Sequence, residues 1–311
     1  MKEDVYKYDY AVVVPVFENN ELLLELAHLI QEAFEQLEKT YQLILVDDSK
    51  TNTSWHYIQQ IHQNQPDIVT AVRLTRNYGQ HNATLCGFEF VEAAWIITMD
   101  DDLEIFPDQI PLLIQRQKET DADVVSGRFK RNKRGKFLNF LNQIFVDSGE
   151  KIKKEKSTKS SFRLIRKKIT DKLVGYPHNF IFIDRVLMWY TQFIEYVDVA
   201  HFPSQKVLSG YQKKDLLSML SNIVFFFSSV PLKAMTYLSF VISFFTLIFG
   251  LQRFFKKIFY GSPMGYTSII VTILFSTSII LFALGIIGEY LRRIYIILNK
   301  QPNFEIKKVL K

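Results

Sequence analysis

Short apolar runs alternate with amphipathic segments along the first two thirds of the chain. The runs predicted as strands are residues 10–17, 43–49, 68–74, 93–99 and 122–127, and a charged loop is predicted at 147–160. Between Glu21 and Leu37, apolar residues recur at helical spacing, and similar patterns separate most of the other runs. Strands that alternate with helices predict an α/β domain with a doubly wound, mainly parallel sheet and helices on both faces.

The last third of the chain contains two long apolar runs. No charged residue occurs between Lys233 and Arg253, or between Lys257 and Glu289. Each run is long enough for a membrane helix, which needs roughly 20 mainly apolar residues. The pattern predicts two transmembrane helices, with a buried helical hairpin in a soluble core as the alternative.

Apolar residues at helical spacing also precede these runs, behind Lys213 and Lys214. They predict an amphipathic helix in the membrane interface, and an ordinary packing helix is the alternative. Basic residues flank the two runs mainly on one side, which places that side in the cytoplasm. The predicted parts are a cytoplasmic α/β domain over 1–210, an interfacial helix over 211–230, a transmembrane hairpin over 231–298 and a cytoplasmic tail over 299–311.

The composition argues against several classes of protein. The net charge of +6 is modest, and we expect no nucleic-acid partner. The single cysteine, Cys86, excludes an internal disulfide and fits a reducing compartment. The charge-free runs contain no carboxylate, so an ion-binding membrane protein with acidic residues in its spans is not predicted.

Two acidic clusters follow predicted strands. Asp47 and Asp48 lie at the end of the second run, and Asp100, Asp101 and Asp102 follow the fourth. In a parallel sheet, ligands bind beyond the carboxyl ends of the strands, so the two clusters can converge on one crevice. Asp100 and Asp102 can both reach a Mg²⁺ or Mn²⁺ ion that shares its remaining positions with substrate phosphates. The alternative is that these acids only cap the following helix.

Five stretches of the chain resemble, in order, the motifs of family 2 glycosyltransferases of the GT-A fold. They are VPVFENN (14–20), ILVDDSKTNTS (44–54), RLTRNYGQHNATLCGFEF (73–90), ITMDDDLEIFPDQIPLLI (97–114) and SFRLI (161–165). A sixth, GEYLRRIY (288–295), resembles the membrane-anchored branch that charges polyprenyl phosphate with a sugar, to which the dolichol-phosphate mannose synthases are related. The resemblance covers nearly the whole chain and implies a Rossmann-like GT-A sheet.

The resemblance implies roles for individual residues. It assigns the base and ribose of a nucleotide sugar to Pro15, Phe17, Glu18, Asp47 and Asp48, with Arg76 and Asn77 bordering the same pocket. It assigns the metal and the diphosphate to Asp100 and Asp102, of which Asp102 is also predicted to be catalytic. Arg128 is implied as a phosphate or sugar contact, and a surface salt bridge is the alternative for it.

The acceptor side departs from the family pattern. Many members carry an acid just before the F-R-L triplet, often proposed as catalytic; this chain has Ser161 there, which is predicted as a catalytic residue by its position. Arg163 is predicted to act in catalysis by binding the acceptor phosphate, because its guanidinium can bind two oxygens at once; a surface salt bridge is its alternative. His201 and Lys206 are weaker candidates for this contact, and a structural role is the alternative for His201. Both lie in HFPSQKVLSGY (201–211), which replaces the family's usual basic and glycine-containing stretch.

These observations predict an inverting transferase that moves one sugar from a UDP-sugar onto undecaprenyl or a similar polyprenyl phosphate at the cytoplasmic side of the cell membrane. The sugar is expected to be glucose or N-acetylglucosamine, and the lipid-linked product would serve decoration of a cell-wall or surface glycan. A processive polysaccharide synthase would carry a Q-x-x-R-W motif, which the sequence lacks. The departures at Ser161 and 201–211 leave a second hypothesis, a membrane-bound partner or flippase component that binds nucleotide sugar without transferring it. Homo-oligomers occur among similar proteins, but no residue pattern here predicts one.

Overall fold

The computed structural model describes residues 6–18, 21–130, 157–174, 183–202, 265–298 and 302–311, together with isolated positions between 241 and 259. The chain divides into two units. The first comprises Met1–Lys133, Lys154–Val207 and Lys300–Lys311, and the second comprises Arg134–Lys153 and Leu208–Asn299.

The first unit is built on one mixed sheet. Its strands are β1 (Tyr8–Val16), β2 (Tyr41–Asp47), β3 (Val69–Leu74), β4 (Ala93–Thr98), β5 (Val124–Lys130), β6 (Ser157–Arg166), β7 (Ile194–Asp198) and β8 (Ile306–Leu310). Its helices are α1 (Leu22–Leu37), α2 (Thr53–Asn64), α3 (Gln80–Phe88), α4 (Ile110–Thr120), α5 (Lys167–Val174) and α6 (Ile183–Tyr190), with a 3-10 turn at Pro107–Gln109 before α4.

The strand order in this sheet is β7-β5-β6-β4-β1-β2-β3-β8. The four central strands, β4, β1, β2 and β3, are parallel to one another, and β5 is parallel to β7. β6 runs antiparallel to both β4 and β5, and β8 runs antiparallel to β3. The prediction of an α/β fold with a mainly parallel sheet is therefore confirmed.

Apolar side chains pack against both faces of the sheet. Along β1, Val12 and Val14 contribute to one core cluster and Ala11 and Val13 to the other, and all four are fully buried. Helices α1, α2 and α4 contribute to the first cluster, and α3, α5 and α6 contribute to the second. Strands buried on both faces need continuous apolar runs, which is why the sequence predicts the central strands.

The structure differs from the predictions at several strand boundaries. β1 and β2 end at Val16 and Asp47, so the residues predicted as their last positions stand just beyond the strands. The loop prediction at 147–160 is wrong at its end, because the residues from Ser157 onward belong to β6; those before Ser157 lie outside the described residues. β6 pairs with β5 along this stretch, so its backbone groups are satisfied although its side chains are polar.

The end of the chain, expected as a tail over 299–311, contributes strand β8 to the sheet. β8 pairs with β3, and the backbone N–H of Thr75 donates to the carbonyl of Glu305 at 2.9 Å just before the strand begins. The C-terminal segment therefore belongs to the unit that holds the acidic clusters.

In the second unit, helix α7 runs from Tyr266 to Leu298. It includes most of the second charge-free run. Counting only the residues that the structure describes in full, no helix is long and apolar enough to cross a membrane. The predicted interfacial helix over 211–230 and most of the first charge-free run lie outside the described residues.

Candidate functional site

A cavity of about 290 Å³ lies beyond the carboxyl end of β4 and beside β6. It brings together residues that are far apart in the sequence, including both predicted metal ligands and three residues predicted on the acceptor side. Its lining is formed by Gln80, His81, Met99, Asp100, Asp102, Glu104, Ile105, Phe129, Ser160, Ser161, Phe162, Arg163, Asp184 and His201.

Asp100 is held at the floor of this cavity by two polar side chains. Its carboxylate accepts hydrogen bonds from the Nε2 of Gln80, at the start of α3, and from the Oγ of Ser161 on β6. β6 is fixed at this point because Thr98 at the end of β4 donates to the backbone carbonyl of Ser161 at 2.5 Å. Burial raises the pKa of Asp100 to about 6, and the neighbouring charge of Asp102 adds to the rise.

The other two aspartates of the cluster have different surroundings. Asp101 points back to β1, where its Oδ2 accepts the backbone N–H of Phe17 at 3.1 Å. Asp102 is half-buried in the cavity lining, and its Oδ1 accepts the backbone N–H of Glu104 at 3.1 Å. Successive aspartates therefore face different ways: Asp100 and Asp102 line the cavity, and Asp101 is hydrogen-bonded to the residue that follows β1.

The donor set of this cavity fits a divalent cation. Two carboxylates line one space, and the charge of Asp102 opposes ionisation of Asp100, so a cation there would relieve the repulsion. Across the described ranges, no group of three or more His, Cys, Asp or Glu residues stands ready to hold a metal ion. Two carboxylates leave most positions of a magnesium or manganese ion to water and substrate phosphates, as such ions prefer.

Arg163 forms a buried ion pair that the sequence does not predict. Its Nε and Nη2 donate to the two carboxylate oxygens of Asp184, on α6, at 2.9 and 2.8 Å, and its side chain is only 4% exposed. Its Nη1 also donates to the carbonyl of Ser161 at 3.3 Å. The guanidinium therefore lines the cavity in a fixed orientation, and the surface salt bridge considered for Arg163 is replaced by a buried pair.

His81 and His201 also line the cavity, in different environments. Burial lowers the pKa of His81 to about 4, and the charge of Arg163 acts in the same direction, so His81 is neutral at pH 7. His201 shares a 2.9 Å contact between its Nε2 and the Oε2 of Glu104, and its ring stacks on Phe129 at 4.1 Å between centroids. These contacts favour the structural role considered for His201.

The first acidic cluster is enclosed by the protein. Asp48 is 2% exposed, and its carboxylate accepts the backbone N–H groups of Tyr78 and Gly79 at 2.6 and 2.8 Å and the amide of Asn77 at 3.2 Å. The positive φ of 87° at Gly79 is easily reached by glycine. Burial raises the pKa of Asp48 to about 6, against these hydrogen bonds. Asp48 thus ties the end of β2 to the loop that begins α3.

The carboxylate of Asp47, like that of Asp48, is bound by groups of the protein. Its Oδ1 accepts the hydroxyl and the backbone N–H of Ser49, the latter at 3.1 Å, and its Oδ2 lies 3.3 Å from the Nε of Arg73. Arg73 in turn donates to the side-chain oxygen of Asn52. The structure therefore places both acids of this pair inside the protein, bound to its own groups.

A second cavity, of about 440 Å³, lies at the carboxyl ends of β2 and β3. Arg76 and Asn77, predicted to border the nucleotide pocket, both line it, and Arg76 lies over the ring of Tyr78 at 4.8 Å. Its full lining is Ser49, Lys50, Asn52, Arg73, Leu74, Thr75, Arg76, Asn77 and Lys307.

The remaining predicted residues lie elsewhere. Arg128 on β5 pairs with Asp198 at 2.7 Å, which supports the salt bridge considered for it, whereas its neighbour Phe129 lines the first cavity. Pro15 borders a small space next to Asp100. Phe17 and Glu18 are exposed beyond the end of β1, and Lys206 lies outside the described residues.

Several cavity residues are missed by the sequence analysis: Gln80, His81, Glu104, Phe129 and Asp184. Gln80 and His81 begin the helix that follows β3, so their place at the carboxyl edge of the sheet is a signal that could have revealed them. Asp184 has no such local signal, because α6 reaches the cavity only through tertiary packing.

Comparisons with known proteins give matches over most of the chain. The family model described as "Glycosyl transferase family 2" matches residues 11–189. The "Prophage bactoprenol glucosyl transferase homolog" of Escherichia coli (strain K12) is 27% identical over 309 residues, covering 97% of this chain and 99% of that protein. The "Undecaprenyl-phosphate 4-deoxy-4-formamido-L-arabinose transferase" of Shewanella sediminis (strain HAW-EB3) is 26% identical over 310 residues, covering 96% of this chain and 92% of that protein.

Among solved structures, S. aureus TarS 1-349 in complex with UDP-GlcNAc is similar over 70% of this chain and 65% of that one, with 14% identity and a TM-score of 0.47. The match to the family model covers more than half of the chain, from β1 through α6, and includes both acidic clusters. The chain belongs to glycosyl transferase family 2.

Proposed function

We propose that this chain transfers a single sugar, glucose or N-acetylglucosamine, from a UDP-sugar to undecaprenyl or a similar polyprenyl phosphate with inversion at the anomeric carbon. The observation that carries the proposal is the convergence of Asp100, Asp102 and the fixed guanidinium of Arg163 on one cavity. The acceptor class is supported by relatives that match over nearly their whole length and are named for bactoprenol or undecaprenyl phosphate.

The acidic side of the cavity would receive the donor diphosphate. Asp100 and Asp102 would hold a magnesium or manganese ion, which when bound supplies positive charge next to the leaving diphosphate. Gln80 and Ser161 hold the Asp100 carboxylate in place, so the protein fixes the position of this side of the site before substrate arrives.

The side of the cavity formed by the Arg163–Asp184 pair would receive the acceptor phosphate. The second pKa of a phosphate monoester is near 6, so its oxygen is largely ionised at neutral pH and needs positioning more than a general base. This oxygen forms a bond to the anomeric carbon while the bond from that carbon to the diphosphate oxygen breaks, and UDP leaves. Arg163 is oriented for this contact by Asp184, and Ser161 in place of the family's acid is compatible with a nucleophile that is already deprotonated.

We place the reaction at the cytoplasmic side of the cell membrane. The two charge-free runs and the basic residues beside them support this placement. Large apolar side chains on α7, such as Phe275 and Phe282, are also exposed in the structure and would find apolar surroundings in lipid. The product would be a lipid-linked sugar for decoration of a cell-wall or surface glycan.

A radiolabel assay tests this proposal. The purified full chain in detergent is mixed with undecaprenyl phosphate and labelled UDP-glucose, UDP-N-acetylglucosamine or a GDP-sugar, with Mg²⁺ or Mn²⁺, and label is counted in the organic phase. We expect labelled lipid from one UDP-sugar, lost when a chelator is added. Asp171→Asn, an acid-to-amide change on the exposed face of α5, serves as the control and should retain full transfer.

Two outcomes would contradict the proposal in different ways. Labelled lipid from the GDP-sugar alone would overturn the UDP assignment. Absence of labelled lipid from every donor, with nucleotide binding retained, would favour the second hypothesis of a partner that binds nucleotide sugar without transferring it, which Ser161 motivates.

A further inference from the structure

The C-terminal strand carries an irregularity beside the second cavity. β8 pairs with β3 so that Lys308 faces Arg73 and Ile306 faces Leu74, which leaves Lys307 as an extra residue on β8. A bulge of this kind breaks the regular alternation of side chains and changes the direction of the extra residue's side chain. The side chain of Lys307 lines the second cavity, among the residues at the ends of β2 and β3.

The position of Lys307 is set by the strand around it. The backbone N–H of Thr75 donates to the carbonyl of Glu305 on one side of the bulge. Ile306 and Val309 pack against one core cluster, and Leu310 packs against the other. The strand is therefore anchored without the Lys307 side chain, and truncating that side chain should leave the fold intact.

The charged side chains that line the second cavity are all cationic. Lys50, Arg73, Arg76 and Lys307 contribute cationic groups, and Asn77 contributes an amide. Within the described part of the chain, no acidic residue lines this cavity. Lysine and arginine donate hydrogen bonds and accept none, so the walls favour a ligand that presents carbonyl or phosphate oxygens.

Arg76 and Asn77 line this cavity, so it is the one in which the family resemblance locates the nucleoside end of the donor. We propose that Lys307 donates to the carbonyl edge of the base and selects uracil over cytosine. Uracil presents a carbonyl acceptor where cytosine carries an amino donor. An ammonium facing that amino group has no acceptor, so the hydrogen bond formed with uracil is lost with cytosine. The inference rests on the proposed function, because it assumes that a nucleoside diphosphate sugar is the donor.

The spacing of the two cavities suits such a ligand. The acidic cluster follows β4, and the second cavity lies at the ends of β2 and β3 in the same sheet. From β4 through β1 and β2 to β3 there are three strand steps, roughly 14 Å in all. An extended nucleotide sugar spans this distance with its base at β3 and its diphosphate beside Asp100.

Isothermal titration calorimetry of the full chain in detergent, with Mg²⁺ present, tests this inference. The ligands are UDP, CDP and inorganic diphosphate, and the variants are Lys307→Ala and Lys308→Ala. We expect the unmodified chain to bind UDP about tenfold more tightly than CDP, a difference of one charge-assisted hydrogen bond, and Lys307→Ala to abolish this preference by weakening UDP binding alone. Inorganic diphosphate binding should be unchanged, and an unchanged preference for UDP in Lys307→Ala would overturn the inference. Lys308→Ala removes the same charge from the neighbouring position, which pairs with Arg73 on β3, and should change UDP affinity by less than about twofold.

Each contrary result has a distinct meaning. Wild-type affinity for UDP in Lys307→Ala would overturn the inference and leave the proposed function in place. An equal loss for UDP and inorganic diphosphate would show that Lys307 contacts phosphate, which overturns its assignment to the base. Failure of the unmodified chain to bind any nucleoside diphosphate would overturn the proposed donor, and the inference with it.

Discussion

The two acidic clusters lie at the carboxyl edge of one sheet, yet they face different surroundings. Asp47 and Asp48 are at most 2% exposed, and their carboxylates are bound by backbone and side-chain groups of the protein. Asp100 and Asp102 are half-buried and line an open cavity. A carboxylate enclosed by protein donors stabilises the fold, whereas one that lines a cavity beside another acid can also contact a ligand while it accepts hydrogen bonds from the protein, as Asp100 does from Gln80 and Ser161.

Helix α3 joins the two clusters. The backbone N–H of Gly79, just before α3, donates to Asp48, and the side chain of Gln80, its first residue, donates to Asp100. The enclosed first cluster therefore positions the start of α3, which in turn positions Asp100 in the second cluster. Under the proposed function, the first pair contributes stability and the second pair contributes to transfer, and variants of each pair test this difference.

The largest effect is expected at Asp102. Asp102→Asn removes a charge that faces the cavity, and we expect the transfer rate to fall about a thousandfold, because metal-assisted charge stabilisation contributes several kcal/mol to such reactions. The melting temperature should stay within about 2 °C of the unmodified chain, since changes at open positions rarely affect stability. Initial rates of labelled-lipid formation and a thermal scan measure both quantities. A large drop in melting temperature would show that Asp102 is structural, like the first pair.

The converse result is expected at Asp48. Asp48→Ala leaves the backbone N–H groups of Tyr78 and Gly79 without an acceptor, so we expect unfolding to become easier by about 3 kcal/mol. Thermal unfolding measures this loss, with Asp67→Ala at an exposed position as the control. Unchanged stability in Asp48→Ala would remove the distinction between the clusters.

A smaller effect is expected at Asp184, which extends the comparison to a third acid. Asp184→Asn leaves the buried guanidinium of Arg163 without its ionic partner, and we expect a loss of about 2 kcal/mol, below the full cost for a buried pair because Asp184 is 33% exposed. Asp198→Asn breaks the more exposed pair with Arg128 and should have little effect. Equal melting temperatures for the two variants would contradict the buried character of the Arg163 pair.

The smallest effect is expected at Gly87, through the helix that joins the clusters. A Cβ at Gly87 would overlap the Cγ1 of Val13 on β1, so Gly87→Ala should push α3 away from the sheet and cost about 1 kcal/mol. Gly285→Ala makes the same change on α7, where nothing lies within 4 Å of the added carbon, and is the control. Chemical denaturation compares the two, and equal midpoints would contradict the close approach of α3.

The sequence predicts those parts of the fold whose signal is local. Strands β1 to β4 contain long apolar runs and β5 begins with a short one, and both acidic clusters lie at the ends of such runs. Strands β6 to β8 are missed because they are short or polar and take their structure from pairing with distant strands. The bulge at Lys307 likewise depends on register with β3 and has no signature in IKKVL itself.

In the candidate site too, the sequence predicts the residues that belong to local motifs and does not predict those brought in by tertiary packing. Asp100, Asp102, Ser161 and Arg163 occur in motifs and do line the cavity. Asp184, the partner of Arg163, reaches the cavity through tertiary packing of α6, so its role cannot be predicted from a spacing in the sequence. The sequence also does not predict that the first acidic cluster is enclosed and that the second lines a cavity, because a run of aspartates does not show which carboxylates accept backbone N–H groups.

Manganese binding tests the central distinction most directly. Electron paramagnetic resonance follows free Mn²⁺ as it is titrated with the chain in the presence of UDP, for the unmodified chain, Asp102→Asn and Asp48→Asn. We expect one bound Mn²⁺ per chain. Binding should be lost in Asp102→Asn and kept in Asp48→Asn while that variant remains folded. Binding that persists in Asp102→Asn but disappears in folded Asp48→Asn would contradict it and move the cation to the first cluster.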